Sequence, residues 1–192
     1  MKVGLYFGSF NPIHIGHLII ANHIAEFSDL DQVWFVVTPH NPFKKKSTLL
    51  DNYQRLEMVF RATKEYPNLK PSDIEFNLPQ PNYTVNTLAY LEEKHPDYEF
   101  ALIMGEDNLK GLHKWKNYEV ILKRHHIYVY PRISRKEVDT QFNDHEKIHF
   151  INAPVMQISS TFIRKAIAEG KNVKPMFPEH VWEYLDQMNF YK

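Results

Sequence analysis

An α/β domain with a mainly parallel sheet and helices on both faces is the fold this sequence predicts. Three observations carry it. Short apolar and β-branched runs recur along the chain, and most are near-continuous, as in strands buried on both faces. Stretches with helical periodicity separate them, which is the kind of connection parallel neighbours need. Polar segments rich in Gly, Pro, Asn and Ser follow several strand ends, where sheets of this kind collect ligands.

Val3 to Phe7 reads as the first strand. It breaks at Gly8-Ser9, passes Asn11-Pro12 and turns helical from about Ile15, with Leu18, Ile19, Ala21, Asn22 and Ala25 in the pattern. Residues 32–38 form a second buried strand. Asp51 to Lys64 has the helix period, with Asp51 as N-cap and Gln54 three residues on, the spacing of a capping box. Ile74-Glu75-Phe76 is expected as a short third strand, and Thr84 to Lys94 as a helix capped by Thr84 with Leu88 and Leu91 inward. Further strands are expected at 100–104, 126–130 and 148–151. A helix over Ser160 to Ala168 is closed by Gly170, and Glu179 to Met188 is a last amphipathic helix. With no repeat, low-complexity tract or linker, the expectation is one domain over 1–192, its helical C-terminal portion about 159–192.

Composition narrows the function classes. Lys+Arg and Asp+Glu balance at 23 each, so no global field gathers nucleic acid or an anionic membrane; any basic character is local. An RNA-binding module would need a basic face and an aromatic platform that the sequence lacks. The absence of cysteine removes disulfides, thiolate metal sites and Cys nucleophiles, and fits a reducing compartment. Met1 leads straight into the first strand, and no apolar run approaches the roughly 18 residues of a membrane span. The expected location is the cytoplasm.

The chemistry concentrates first at the strand-to-helix turn of residues 4–17. A helix start offers free N–H groups and a positive dipole end to a phosphate. His14 and His17 stand three apart on that opening turn, on one side of it, and Gly16 removes a side chain where a nucleotide would approach the backbone. The same features also suit an ordinary α/β turn with two surface histidines. The pattern is neither a P-loop nor the three-glycine dinucleotide fingerprint, and no nearby carboxylate or Cys completes a metal set.

Gly8-Ser9-Phe10-Asn11-Pro12-Ile13-His14-Ile15-Gly16-His17 nevertheless resembles the HxGH signature of the nucleotidyltransferase superfamily, in the form carried by nicotinate/nicotinamide mononucleotide adenylyltransferases. Far along the chain, Ile158-Ser159-Ser160-Thr161-Phe162-Ile163-Arg164 resembles the same family's ISSTxIR signature, a second helix start whose arginine can aim a guanidinium fork at phosphate oxygens. The likeness runs from residue 1 to about 170. It implies a Rossmann-like, doubly wound sheet, and a nucleotide site that includes Gly8, Ser9, Phe10, His14, Gly16, His17, Ile158, Ser159, Ser160 and Arg164.

Other segments after strand ends fit the same family. Lys44, in the Pro-bearing segment 39–46, matches a family lysine that faces the triphosphate; Lys45 and Lys46 read as solvated charge. Arg55 reads equally as a solvent-facing helix residue or a phosphate contact. Asn82-Tyr83-Thr84 resembles the segment whose backbone amides hold the ring carboxylate in bacterial enzymes using the nicotinate form. Gly105-x-Asp107 resembles the family's Gly-x-Asp motif near the nucleotide ribose, although Asp107 also suits an N-cap. Trp115-Lys116 resembles the tryptophan motif beside the pyridine ring, where offset stacking adds about 0.5–1.5 kcal/mol beyond burial; core packing is the alternative for Trp115. Asn11 and Lys44 join this mononucleotide set, and Arg132 is a further triphosphate candidate.

The resemblance implies in-line transfer of adenylyl from ATP to nicotinate mononucleotide. His14 and His17 would donate to phosphate oxygens, Lys44 and Arg164 would hold the β- and γ-phosphates, and Mg²⁺ would be brought with ATP. Nicotinamide mononucleotide as substrate, sister transferases acting on pantetheine phosphate or alcohol phosphates, and a nucleotide sensor without turnover are the alternatives. A homo-oligomer stays open.

Overall fold

The computed structural model describes residues 1–39, 49–132 and 141–192. Its centre is a six-stranded parallel sheet: β1 (Lys2–Gly8), β2 (Gln32–Val37), β3 (Leu69–Ser72), β4 (Glu99–Gly105), β5 (Ile127–Tyr130) and β6 (Ile148–Phe150). The spatial order is β3-β2-β1-β4-β5-β6, and every pair is parallel. Strand order reverses between β1 and β4, the switch point of a Rossmann-like, doubly wound sheet.

Strand periodicity of two divides the core. Val3 and Leu5 of β1, with Phe100, Leu102 and Met104 of β4, face one helical layer: α3 (Thr84–Lys94), α4 (Glu106–Lys110) and α5 (Tyr118–Arg124). Tyr6, Ala101 and Ile103 face the other: α1 (Ile15–Phe27), α2 (Asn52–Thr63), α6 (Ser160–Ala168) and α7 (Glu179–Gln187). Gly4 belongs to this second face, where a Cβ would come within 2.6 Å of Leu30.

The expected helices α1, α2, α3, α6 and α7 form within a residue or two of their expected ends. The Asp51–Gln54 capping box is present, with Asp51 accepting from the Tyr53 N–H at 2.8 Å and the Asp51 N–H donating to Gln54 at 3.2 Å. Gly170, at φ 69°, follows α6 in the left-handed region.

Two expectations fail. Ile74–Asn77 is a turn of 3₁₀ helix, and the third strand lies earlier, at Leu69–Ser72, with Pro71 inside it. As β3 is a sheet edge, a residue without an N–H is tolerated there. Thr84 does not cap α3 either: Tyr83 holds the cap position and makes no side-chain cap bond. The short helices α4 and α5 had not been expected.

Candidate active site

Strand β1 delivers its turn to the C-terminal end of the sheet through a left-handed step. Phe10 has φ 45°, and its buried ring packs edge-on against Tyr6, Phe35 and His17. A Cβ on Gly8 would lie 2.8 Å from that ring, so glycine is required there. Phe10 was expected to touch nucleotide, but its side chain is core; Gly8 and Phe10 support the site from behind.

In front of them is a cavity of about 420 Å³. His14, Gly16 and His17 from the start of α1 line one side of it. Ile158, Ser159, Ser160, Thr161 and Arg164 from the start of α6 line another, and Ser9, Asn11 and Arg132 complete its polar wall. Two helix starts therefore converge on one space, each with first-turn N–H groups that no intrahelical carbonyl satisfies. The two segments also bond to each other directly. Ser160 Oγ donates to the Pro12 carbonyl at 2.9 Å, and Arg164 Nη1 donates to the Asn11 carbonyl at 2.7 Å. Ser159 is the true cap of α6, accepting from the Phe162 N–H at 3.2 Å.

The two histidines stack, with ring centroids 3.8 Å apart. Burial holds both below the ordinary histidine range: His14 falls to about 4, with Arg132 adding to the effect, and His17 is lowered further by His14 and Arg132. Both are neutral near pH 7. The His14 backbone N–H donates to His17 Nδ1 at 3.3 Å, which leaves the ring proton of His17 on Nε2 as a donor. His14 Nδ1 is buried with no partner, and a Cβ on Gly16 would stand 3.1 Å from it.

Arg55 meets neither of its expectations. It is fully buried, its Nη1 donating to the carbonyls of Ser9 at 2.6 Å and Thr38 at 2.8 Å, its Nε to Leu50 at 3.0 Å and its Nη2 to Asn52 at 2.7 Å. One cation thus ties together the segments following β1 and β2 and the start of α2. A charge read from sequence equally as solvent-facing or as a phosphate contact is here satisfied by backbone carbonyls, which no side-chain pattern announces. Lys44 lies outside the described residues.

Of the expected mononucleotide residues, buried Asn11 lines the cavity, whereas Tyr83, Thr84, Trp115 and Lys116 lie elsewhere and more openly. Tyr83 is 39% exposed at the start of α3, and Lys116 Nζ sits 4.3 Å from the centre of its ring. Trp115 is half-buried against the core layer of α3–α5. Thr84 is half-buried beside Tyr83. Beneath this ledge, buried Glu75 accepts from Thr87 Oγ1 at 2.9 Å, and its carbonyl accepts from Asn82 at 3.2 Å. Burial lifts the Glu75 carboxyl to about 7 against that hydroxyl bond. Gly105 and Asp107 stand between the regions. A Cβ on Gly105 would come 2.5 Å from Asp107 Oδ1, whose partner at 3.5 Å is Arg132 Nε. Arg132 also donates to the Tyr130 hydroxyl at 3.1 Å, and Tyr6 to the same oxygen at 3.2 Å.

Comparison with known proteins gives the family. The cytidylyltransferase-like family model matches residues 5–166. A protein of Flavobacterium psychrophilum named as a probable nicotinate-nucleotide adenylyltransferase is 70% identical over 192 residues, all of both chains. One of Flavobacterium johnsoniae with the same name is 68% identical, again over all of both chains. The chain belongs to the nicotinate-nucleotide adenylyltransferase family. Among solved structures, the Plasmodium falciparum nicotinic acid mononucleotide adenylyltransferase complexed with NaAD shares the fold at TM-score 0.80 and 19% identity, over 99% of this chain and 97% of that one. Members of this family are nucleotidyltransferases, so the cavity between the α1 and α6 starts is the place to seek the transfer.

Proposed function

We propose that the chain transfers the adenylyl group of ATP to nicotinate mononucleotide, giving nicotinate adenine dinucleotide and pyrophosphate. The observation that carries this is the convergence of two helix starts and a stacked, neutral histidine pair on one cavity at the sheet's switch point. A phosphate oxygen of the mononucleotide forms the new bond to the α-phosphorus. The bond from that phosphorus to the bridging oxygen breaks, and pyrophosphate leaves with the electron pair.

Among the described residues lining the cavity, no side chain is a nucleophile hydrogen-bonded to a base, and on this reading positioning and charge stabilisation do the work. His17 Nε2–H and the proton-bearing nitrogen of His14 donate to phosphoryl oxygens as charge shifts. Neutral rings suit this, because a donor that need not change protonation is preorganised. Arg164, Ser159 and the N–H groups of both helix starts hold the phosphate chain, and Lys44 joins them from its own segment. Asp107 accepts from the ribose. Tyr83, Thr84, Trp115 and Lys116 receive the mononucleotide, the ring carboxylate meeting backbone N–H groups at the start of α3. Mg²⁺ brought with ATP would supply charge neutralisation on the triphosphate that Arg164, Ser159 and the helix-start N–H groups hold.

No helix among the described residues is long and apolar enough to cross a membrane, and the cytoplasm is the proposed location. The test is pyrophosphate release from ATP and Mg²⁺ that depends on nicotinate mononucleotide, with α-labelled ATP leaving its label in the dinucleotide. Release without the mononucleotide, or label in free AMP, would contradict the reading.

A further inference from the structure

The chain following α7 turns back toward the cavity. Asn189 at φ 52° and Tyr191 at φ 65° both sit in the left-handed region, which asparagine tolerates and a bulky tyrosine rarely adopts, and Phe190 between them is buried in the core. That path carries the Tyr191 hydroxyl to Asn11, to whose Oδ1 it donates at 2.6 Å across 180 residues of sequence. The same Oδ1 accepts from the Leu50 N–H at 3.2 Å, and the Asn11 carbonyl accepts from Arg164 at 2.7 Å. Tyr191 does not line the catalytic cavity. It lines a neighbouring one of about 570 Å³ that shares Leu49, Thr161 and Arg164 as a common wall. Burial pushes its phenol above the ordinary range against Arg164 and Arg55, so it stays a donor throughout neutral pH.

We propose that Tyr191 is a positioning residue for adenylyl transfer: its hydroxyl fixes Asn11, and through Asn11 it holds Arg164 and Leu50, next to the start of α2, in register with the histidine pair. This rests on the proposed activity. Asn11, expected from sequence to touch the mononucleotide, becomes the junction of three segments. The Tyr191 ring packs beside Phe190 on the edge of the core, and its hydroxyl is the atom that reaches past that packing to Asn11.

The test compares Tyr191→Phe, which keeps the ring and removes the donor, with wild type and with Tyr66→Phe, an exposed tyrosine outside the site. Tyr191→Phe is expected to lower kcat about fivefold, with both KM values within about twofold of wild type and the melting temperature little changed. In a cycle with Asn11→Ala, the double variant is expected to be no slower than Asn11→Ala alone, since Tyr191 acts through Asn11. Unchanged kcat in Tyr191→Phe, or rate losses that multiply in the double variant, would overturn the assignment. So would a fall in melting temperature with normal turnover, the mark of a merely structural bond. Wild type inactive in the same assay would overturn the reading of the site, and Tyr191's role with it; an active wild type confines any failure to Tyr191.

Discussion

The proposed phosphate cradle and the proposed mononucleotide ledge are built by opposite means. In the cradle, the turns leading into α1 and α6 are cross-braced through Ser160, Arg164, Asn11 and buried Arg55. On the ledge, Tyr83 and Lys116 meet in a single exposed cation–π contact, and Trp115 is only half-buried. The difference follows from chemistry. Transition-state donors must be placed before the reaction, at a cost borne in folding, whereas a ring-binding surface can complete itself on the ligand it stacks against.

If the cradle is held by buried bonds, breaking one should cost the most. Arg55→Ala strands three carbonyls and a side-chain oxygen, and is expected to destabilise the protein by about 3–5 kcal/mol in urea unfolding. Stability within 1 kcal/mol of wild type would mean that the cradle does not depend on it. His17→Ala leaves those bonds in place and removes one preorganised donor. Turnover is expected to fall about 10²-fold with an unchanged circular-dichroism spectrum, and near-normal turnover would refute the donor role.

The ledge is expected to respond to pH and ligand instead. Glu75, at about 7 in the fold against an ordinary 4.5, favours folding while protonated; that contribution is complete below about 4.5 and is lost as pH rises through about 7. Glu75→Gln is therefore expected to raise stability at pH 8 by about 2 kcal/mol and to change little at pH 4, as measured by urea unfolding at both values. The same gain at both pH values would sever the effect from titration. Trp115→Ala, the smallest effect, should weaken mononucleotide binding roughly fivefold in calorimetry while leaving ATP affinity alone; unchanged affinity would return Trp115 to packing.

The cradle was also the more legible half in the sequence. His14, Gly16, His17, Ser159, Ser160 and Arg164 stand in two segments that resemble the family's signatures, and the structure brings all six to one cavity. The residues that brace them were not legible. Arg55 looks like any helix cation, because its partners are carbonyls far along the chain, and Tyr191 reaches Asn11 only through two left-handed residues. The third strand was misplaced for a local reason: Ile74 and Phe76 gave the apolar signal, while edge position let β3 form around Pro71. Periodicity was too brief to mark α4 and α5, five and seven residues long.

The most direct measurement is kcat/KM for ATP-dependent pyrophosphate release with nicotinate and nicotinamide mononucleotides under one set of conditions. A strong preference for the acid is expected, since the positive N-terminal end of α3 favours a charged carboxylate over a neutral carboxamide. Equal rates, or a preference for the amide, would contradict the ledge; no release with either would contradict the cradle.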